Sequence, residues 1–177
     1  ETLSFAELYD QVSKTAQHLK ELGVTKGDRV AGFLPNFAGS IVAMLATASV
    51  GAIWSSCSPD FGEQGVIDRF GQIEPKVLFC VDGYFYNGKS HNCLSKIKSF
   101  STRLPTLKQV VIFDYASVDR ISIDNSISYQ GILDNYEPNE IDFERVGFDH
   151  PLYIMYSSGT TGVPKCIVHG HGGTLVQ

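Results

Sequence analysis

The chain has 177 residues, of which 43% are hydrophobic and 19% charged, against ordinary values of about 45–50% and about 25%. That apolar content suffices for a packed core and excludes wholesale disorder, and at ~150 residues per domain the length allows one domain or slightly more. Fourteen Lys and Arg against nineteen Asp and Glu leave a net charge of −5, which excludes the basic footprint of a nucleic-acid binder and speaks against an anionic membrane surface as partner.

Glu1 already stands inside a helical pattern, with no basic stretch and apolar run before it; the expectation is a piece of a longer protein. Ser4-Phe5-Ala6-Glu7 has the form of a capping box, with Ser4 at the N-cap and Glu7 reaching back. Apolar residues then recur at helical spacing from Phe5 through Leu8, Val12, Ala16, Leu19 and Leu22, and Gly23 stops them. An amphipathic helix over 5–22 follows. Arg29–Leu34 reads as a buried strand that Pro35-Asn36 ends.

Val30 to Pro59 carries no charged residue, and Phe37–Trp54 is long enough to raise a membrane-spanning reading. Its small and hydroxylated residues, the interruption at Gly51 and the lack of flanking cations favour a buried helix over about 38–50, then a strand over Ala52–Ser56. A helix over Glu63–Ile73 stops at Glu74-Pro75. Val77–Val81 reads as a strand, His91–Ser101 as a helix, and Gln109–Phe113 as a further strand. Residues 114–148, polar and acidic, read as a surface connection with one short helix near Tyr129–Asn135. The alternation predicts an α/β fold: a layered, mostly parallel sheet with helices on both faces. Four cysteines without a C-x-x-C pair exclude a disulfide scaffold and a zinc ribbon, and fit a reducing compartment, the cytosol.

The chemistry sits near the end. The apolar run Pro151–Tyr156 leads into Ser157-Ser158-Gly159-Thr160-Thr161-Gly162-Val163-Pro164-Lys165, and Cys166–His169 reads as a second strand. A glycine-permissive loop can turn its N–H groups inward around an anion. Hydroxyls add rotatable donors, and a lysine at the far end supplies a point charge for phosphate oxygens. This is no Walker A loop, because Val163-Pro164 separates Gly162 from the lysine and a strand follows where a helix should. The competing reading is a surface turn with an incidental lysine; the flanking strands and Pro-Lys weigh against it.

Tyr156 to Lys165 resembles the signature loop of the adenylate-forming enzymes, a superfamily of acyl-CoA synthetases, luciferases and peptide-synthetase adenylation domains. The resemblance covers most of the chain. Within the superfamily, Val50–Gly62 and His169-Gly170-His171-Gly172-Gly173 are similar to the short-chain branch that joins acetoacetate to coenzyme A. One departure is Cys166, where the family usually has Gly or sometimes Ala after the loop lysine.

The resemblance implies an AMP-forming ligase using ATP, Mg2+ and coenzyme A, with acetoacetate as the acid and acetate or propionate as runner-up. Its partners would be small molecules, with neither nucleic acid nor membrane insertion. Ser157, Ser158, Gly159, Thr160, Thr161, Gly162 and Lys165 would hold the ATP β- and γ-phosphates. Trp54 and Phe61 become candidates to line a coenzyme A entrance, against the alternative of core packing, which is favoured for Trp54. His169 and His171 would border the acyl side; as a metal pair they lack a third ligand. Cys57 has no cation or His beside it in sequence to make it a nucleophile. In the family the adenine pocket, the ribose-binding aspartate, the metal-linked acidic residue and a mobile C-terminal lysine lie further along. The expectation is therefore no catalytic residue within 1–177, which would be the first part of a large N-terminal domain without its C-terminal lid. Two rival classes are a non-catalytic binding relative of the same fold and a membrane protein using Phe37–Trp54.

Overall fold

A computed structural model describes residues 2–157 and 162–177. In chain order its elements are α1 (Phe5–Glu21), β1 (Arg29–Phe33), α2 (Ala38–Ser49), β2 (Ile53–Cys57), α3 (Glu63–Ile73), β3 (Val77–Val81), β4 (Gly83–Tyr86) and β5 (Lys89–Asn92). They continue with α4 (Leu94–Ser101), β6 (Gln109–Phe113), β7 (Ser126–Ser128), α5 (Tyr129–Asn135), β8 (Pro151–Tyr156), β9 (Cys166–Gly170) and α6 (His171–Leu175).

One seven-stranded sheet runs in the order β7-β6-β3-β1-β2-β8-β9. Every pairing is parallel except β8 with β9. β3 is apolar and buried along its whole length, and β1 is buried from Val30 to Phe33, because both faces of the sheet are covered there. Alternate side chains serve two separate cores: Val30, Val77 and Phe79 pack with α1, α2 and α5, while Ala31, Phe33, Leu78 and Cys80 pack with α3 and α4. The fold class is the layered α/β arrangement that the alternation of elements predicts.

Local signals set several boundaries. The capping box of α1 forms in full, the Ser4 N–H donating to Glu7 Oε2 at 2.8 Å and the Glu7 N–H to Ser4 Oγ at 3.2 Å. Gly23, at φ +74°, closes the helix while the Val24 N–H reaches back to the Leu19 carbonyl at 2.9 Å. α3 ends where Glu74 turns left-handed before Pro75. The uncharged stretch is the buried helix α2 and strand β2, and no helix among the described residues is long and apolar enough to cross a membrane.

Two expectations need correction. The helix placed at His91 begins at Leu94; His91 and Asn92 belong to β5, which pairs antiparallel with β4. Asn87 (φ 49°) and Gly88 (φ 72°) make the two-residue turn between Tyr86 and Lys89, because two positive φ values match the twist of a tight hairpin. The His91 ring stacks on Tyr84 at 5.0 Å, and Asn92 Oδ1 takes the Leu94 N–H at 2.8 Å, so the helix starts only after them. Residues 114–148, read as a surface connection, contain the edge strand β7 and bury Ile123, Tyr129, Ile132 and Ile141. Scattered apolar residues there are core contacts that no regular period advertises. The helix at Tyr129–Asn135 is present.

Candidate functional site

β2 and β8 pair only at Trp54–Tyr153 and Ser55–Ile154. Beyond that register they part, and a groove of about 580 Å³ opens at their carboxyl ends, walled by Met44, Trp54, Cys57, Phe61, Arg69 and Tyr156. The carboxyl ends of parallel strands are where open α/β sheets take ligands. Ser55 Oγ ties the two strands, lying 2.8 Å from the Ile154 carbonyl and 2.9 Å from the Tyr156 hydroxyl. Burial pushes the Tyr156 phenol well above its ordinary range, so it stays neutral. The Arg69 guanidinium sits 4.1 Å above the Phe61 ring and 5.7 Å from the Tyr156 ring. That places a cation against the apolar wall, held by cation–π attraction.

β8 runs from this groove straight into the small-residue loop. Ser158, Gly159, Thr160 and Thr161 lie outside the described residues; the stem on either side does not. The Ser157 N–H donates to the Lys165 carbonyl at 3.0 Å, and the Lys165 N–H donates to Ser157 Oγ at 3.0 Å. The β8–β9 pairing, with Tyr156 opposite Cys166, therefore extends one step and closes the neck of the loop. Ser157 Oγ accepts in this bond, and among the described residues its O–H donates to no acceptor. Gly162 has φ +104° and open space where a Cβ would stand, a conformation that favours glycine. Lys165 is exposed and Pro164 buried. Cys166 continues into β9 without disturbing the pairing.

The remaining candidates separate. Trp54 is 6% exposed. Its ring lies over Gly32, where a Cβ would come within 2.6 Å of it, and 6.4 Å from the Phe79 ring. It is a core residue whose edge reaches the groove. Phe61, half-buried, faces the groove beneath Arg69. His169, on β9, stacks on Tyr153 at 4.9 Å. His171, at the start of α6, turns to His150 at 5.7 Å, so the two histidines face different neighbours. Among the described residues no three His, Cys, Asp or Glu side chains cluster to hold a metal. Burial pushes the Cys57 thiol up to about 12, although the fold brings Arg69 and Lys96 near enough for their charges to pull it down. A thiol so weakly acidic is no nucleophile at neutral pH.

Arg69 and Gln72 are the residues that motif reading missed. They stand three apart on α3 and so share a face, but helical spacing alone does not say that this face meets the β8 end and the loop stem.

The whole chain, residues 1–177, matches the family described as "AMP-binding enzyme". It belongs to that family. Among similar curated proteins is the acetoacetyl-CoA synthetase of Gallus gallus, 50% identical over 99% of this chain and 27% of the relative. The acetoacetyl-coenzyme A synthetase of Rhizobium meliloti (strain 1021) has the same identity and the same coverage. A malonamoyl-CoA synthetase from Penicillium aethiopicum is 40% identical over 99% of the chain and 25% of its own length. The solved acetoacetyl-CoA synthetase from Streptomyces lividans superposes with a TM-score of 0.93 at 45% identity, over 99% of this chain and 27% of that one. The chain thus spans about a quarter of the length of these relatives.

Proposed function

We propose that this chain is the phosphate-gripping first part of the large N-terminal domain of an AMP-forming acid–thiol ligase, which converts acetoacetate to acetoacetyl-CoA. The observation that carries the reading is the pinned stem: Ser157 and Lys165 hold each other by two hydrogen bonds at the carboxyl end of the last parallel strand. Family membership and the similarity to acetoacetyl-CoA synthetases support the choice of reaction and acid.

In this reading Ser157, Gly162 and Lys165, with Ser158, Gly159, Thr160 and Thr161, cradle the β- and γ-phosphates of ATP. Mg2+ arrives with the nucleotide as part of the substrate, held mainly by phosphate oxygens, as is usual for that ion. The acid's carboxylate attacks the α-phosphorus, the bond to the bridging oxygen breaks, and pyrophosphate leaves while an acyl-adenylate forms. The Lys165 ammonium and the loop donors neutralise charge on the departing group, so their work is positioning and electrostatics. Coenzyme A thiolate then attacks the acyl carbon and AMP leaves. The apolar groove under Trp54 and Phe61 suits the uncharged arm of the thiol substrate. His169 and His171 would stand toward the acyl side. The cytosol is the compartment consistent with four free cysteines.

The test is acid-dependent exchange of labelled pyrophosphate into ATP by the full-length protein, with acetoacetate, acetate and propionate side by side. Fastest exchange with acetoacetate is expected. Faster exchange with acetate would replace the acid, and no exchange with any acid would leave a non-catalytic relative. Residues 1–177 alone are expected to form no acyl-CoA.

A further inference from the structure

We propose that Gln72 is a positioning residue for Lys165, acting through the peptide unit that joins Pro164 to it. The inference rests on the reading of the loop as a phosphate grip. Gln72 Nε2 donates to the Pro164 carbonyl at 2.8 Å and to the Asp68 carbonyl at 2.5 Å. Both neighbours are carbonyl oxygens, so only the NH2 end of the amide satisfies them. The other end of the same peptide unit, the Lys165 N–H, is taken by Ser157 Oγ at 3.0 Å. A peptide unit is planar; with its oxygen held from α3 and its N–H held from the end of β8, the plane has no freedom to rotate. The next backbone group, the Lys165 carbonyl, accepts from the Ser157 N–H at 3.0 Å. The Lys165 Cα is thereby fixed from both sides, and only its side-chain torsions remain to reach a phosphate.

α3 grips the other side of the neck as well, since Arg69, one turn earlier, lies over the Phe61 and Tyr156 rings. Both stems of the loop are therefore referenced to one helix, as a site of fixed geometry requires. Gln72 itself is exposed, whereas Pro164 is buried. Its removal should cost the fold little and the placement of the lysine more, and this separation makes the role testable.

The test uses the full-length protein with Gln72→Leu, Gln72→Glu and Gln72→Arg. Leu and Glu cannot donate to the carbonyl; Arg can. With Leu or Glu, the KM for ATP and for pyrophosphate in the exchange assay should rise about fivefold, the factor one neutral hydrogen bond is worth. The KM for the acid and the unfolding temperature should hold, and Arg should restore wild-type behaviour to within about twofold. Independently of activity, hydrogen exchange at the Lys165 amide should quicken about fivefold in Gln72→Leu. Unchanged nucleotide KM values with an unchanged amide rate would overturn the proposal. So would a parallel loss in acid KM and unfolding temperature, which would mark a merely structural residue. If the wild-type protein shows no exchange with any acid, the ligase reading fails; the amide rate then decides the clamp alone.

Discussion

Two antiparallel strand pairs, β4–β5 beside the main sheet and β8–β9 within it, are closed in opposite ways. The β4–β5 pair turns within Asn87-Gly88, two residues whose positive φ values are all the turn requires. The β8–β9 pair is bridged by residues 157–165, and its neck is set by a serine hydroxyl and by a glutamine 92 residues away from Pro164 in sequence. A turn that only reverses the chain can be encoded where it stands. The longer loop is held from outside, and so depends on the rest of the fold; the proposed phosphate grip, which needs donors and a charge at fixed positions, would account for that.

The contrast can be broken at several points. The largest loss is expected at the base of the first hairpin. Asp82 is 2% exposed. Its carboxylate takes the N–H groups of Tyr115 and Ala116 at 2.8 Å and of Val118 at 3.0 Å, while its carbonyl takes the Cys93 N–H at 2.8 Å. Asp82→Ala removes the buried carboxylate that three part-buried N–H groups share and should lower the unfolding free energy by about 3 kcal/mol or more, read as a fall in denaturant midpoint at constant slope. A loss under 1 kcal/mol would show that the 114–118 turn holds itself.

Next, Gly88→Val puts a β-branched side chain at φ 72° and should cost about 1–2 kcal/mol. Pyrophosphate exchange should be untouched, since the first hairpin carries no part of the proposed phosphate grip. Ser157→Ala is the mirror image. It should cost only about 1 kcal/mol in stability yet raise the ATP KM, because the Lys165 N–H loses its partner. Equal effects of the two substitutions on activity would erase the distinction between the hairpins.

The smallest effect concerns pH at the base of the second hairpin. Burial, aided by the neighbouring His150, holds His171 below its ordinary value near 6.5, and its Nε2 is buried without a hydrogen-bond partner among the described residues. The folded state therefore favours the neutral ring. Its contribution is complete above about pH 6.5 and declines as pH falls toward the lowered folded value. Amides that dock α6 on the 148–150 turn, those of His171 and Gly172, should exchange faster at pH 5.5 than at 7.5 after correction for intrinsic rates. His171→Phe should flatten that difference.

The same contrast explains what could be read in advance. Val77–Val81 and Glu63–Ile73 stand at their expected bounds, because fully apolar runs and helical spacing are strong signals when both faces of a sheet are covered. The Asn87-Gly88 signal was present in the sequence too. Its flanking strands are four residues each and mostly exposed, so no alternation drew the eye to them. Ile123, Tyr129, Ile132 and Ile141 are buried from an acidic stretch with no period, a tertiary fact that local pattern does not carry. At the candidate site, Ser157, Gly162 and Lys165 stand in a run of small residues and a lysine whose types and order are read directly along the chain. Arg69 and Gln72 were not legible in that way, since a helix's spacing reports which residues share a face but not what that face touches.

The central claim is that the neck between Ser157 and Lys165 aims a lysine at the departing diphosphate of ATP. Its most direct test is acetoacetate-dependent pyrophosphate exchange by full-length protein carrying Lys165→Ala. Loss of a preorganised charge from such a site should slow exchange by about 100-fold or more, with the unfolding transition unchanged. A variant that exchanges at the wild-type rate would contradict the account.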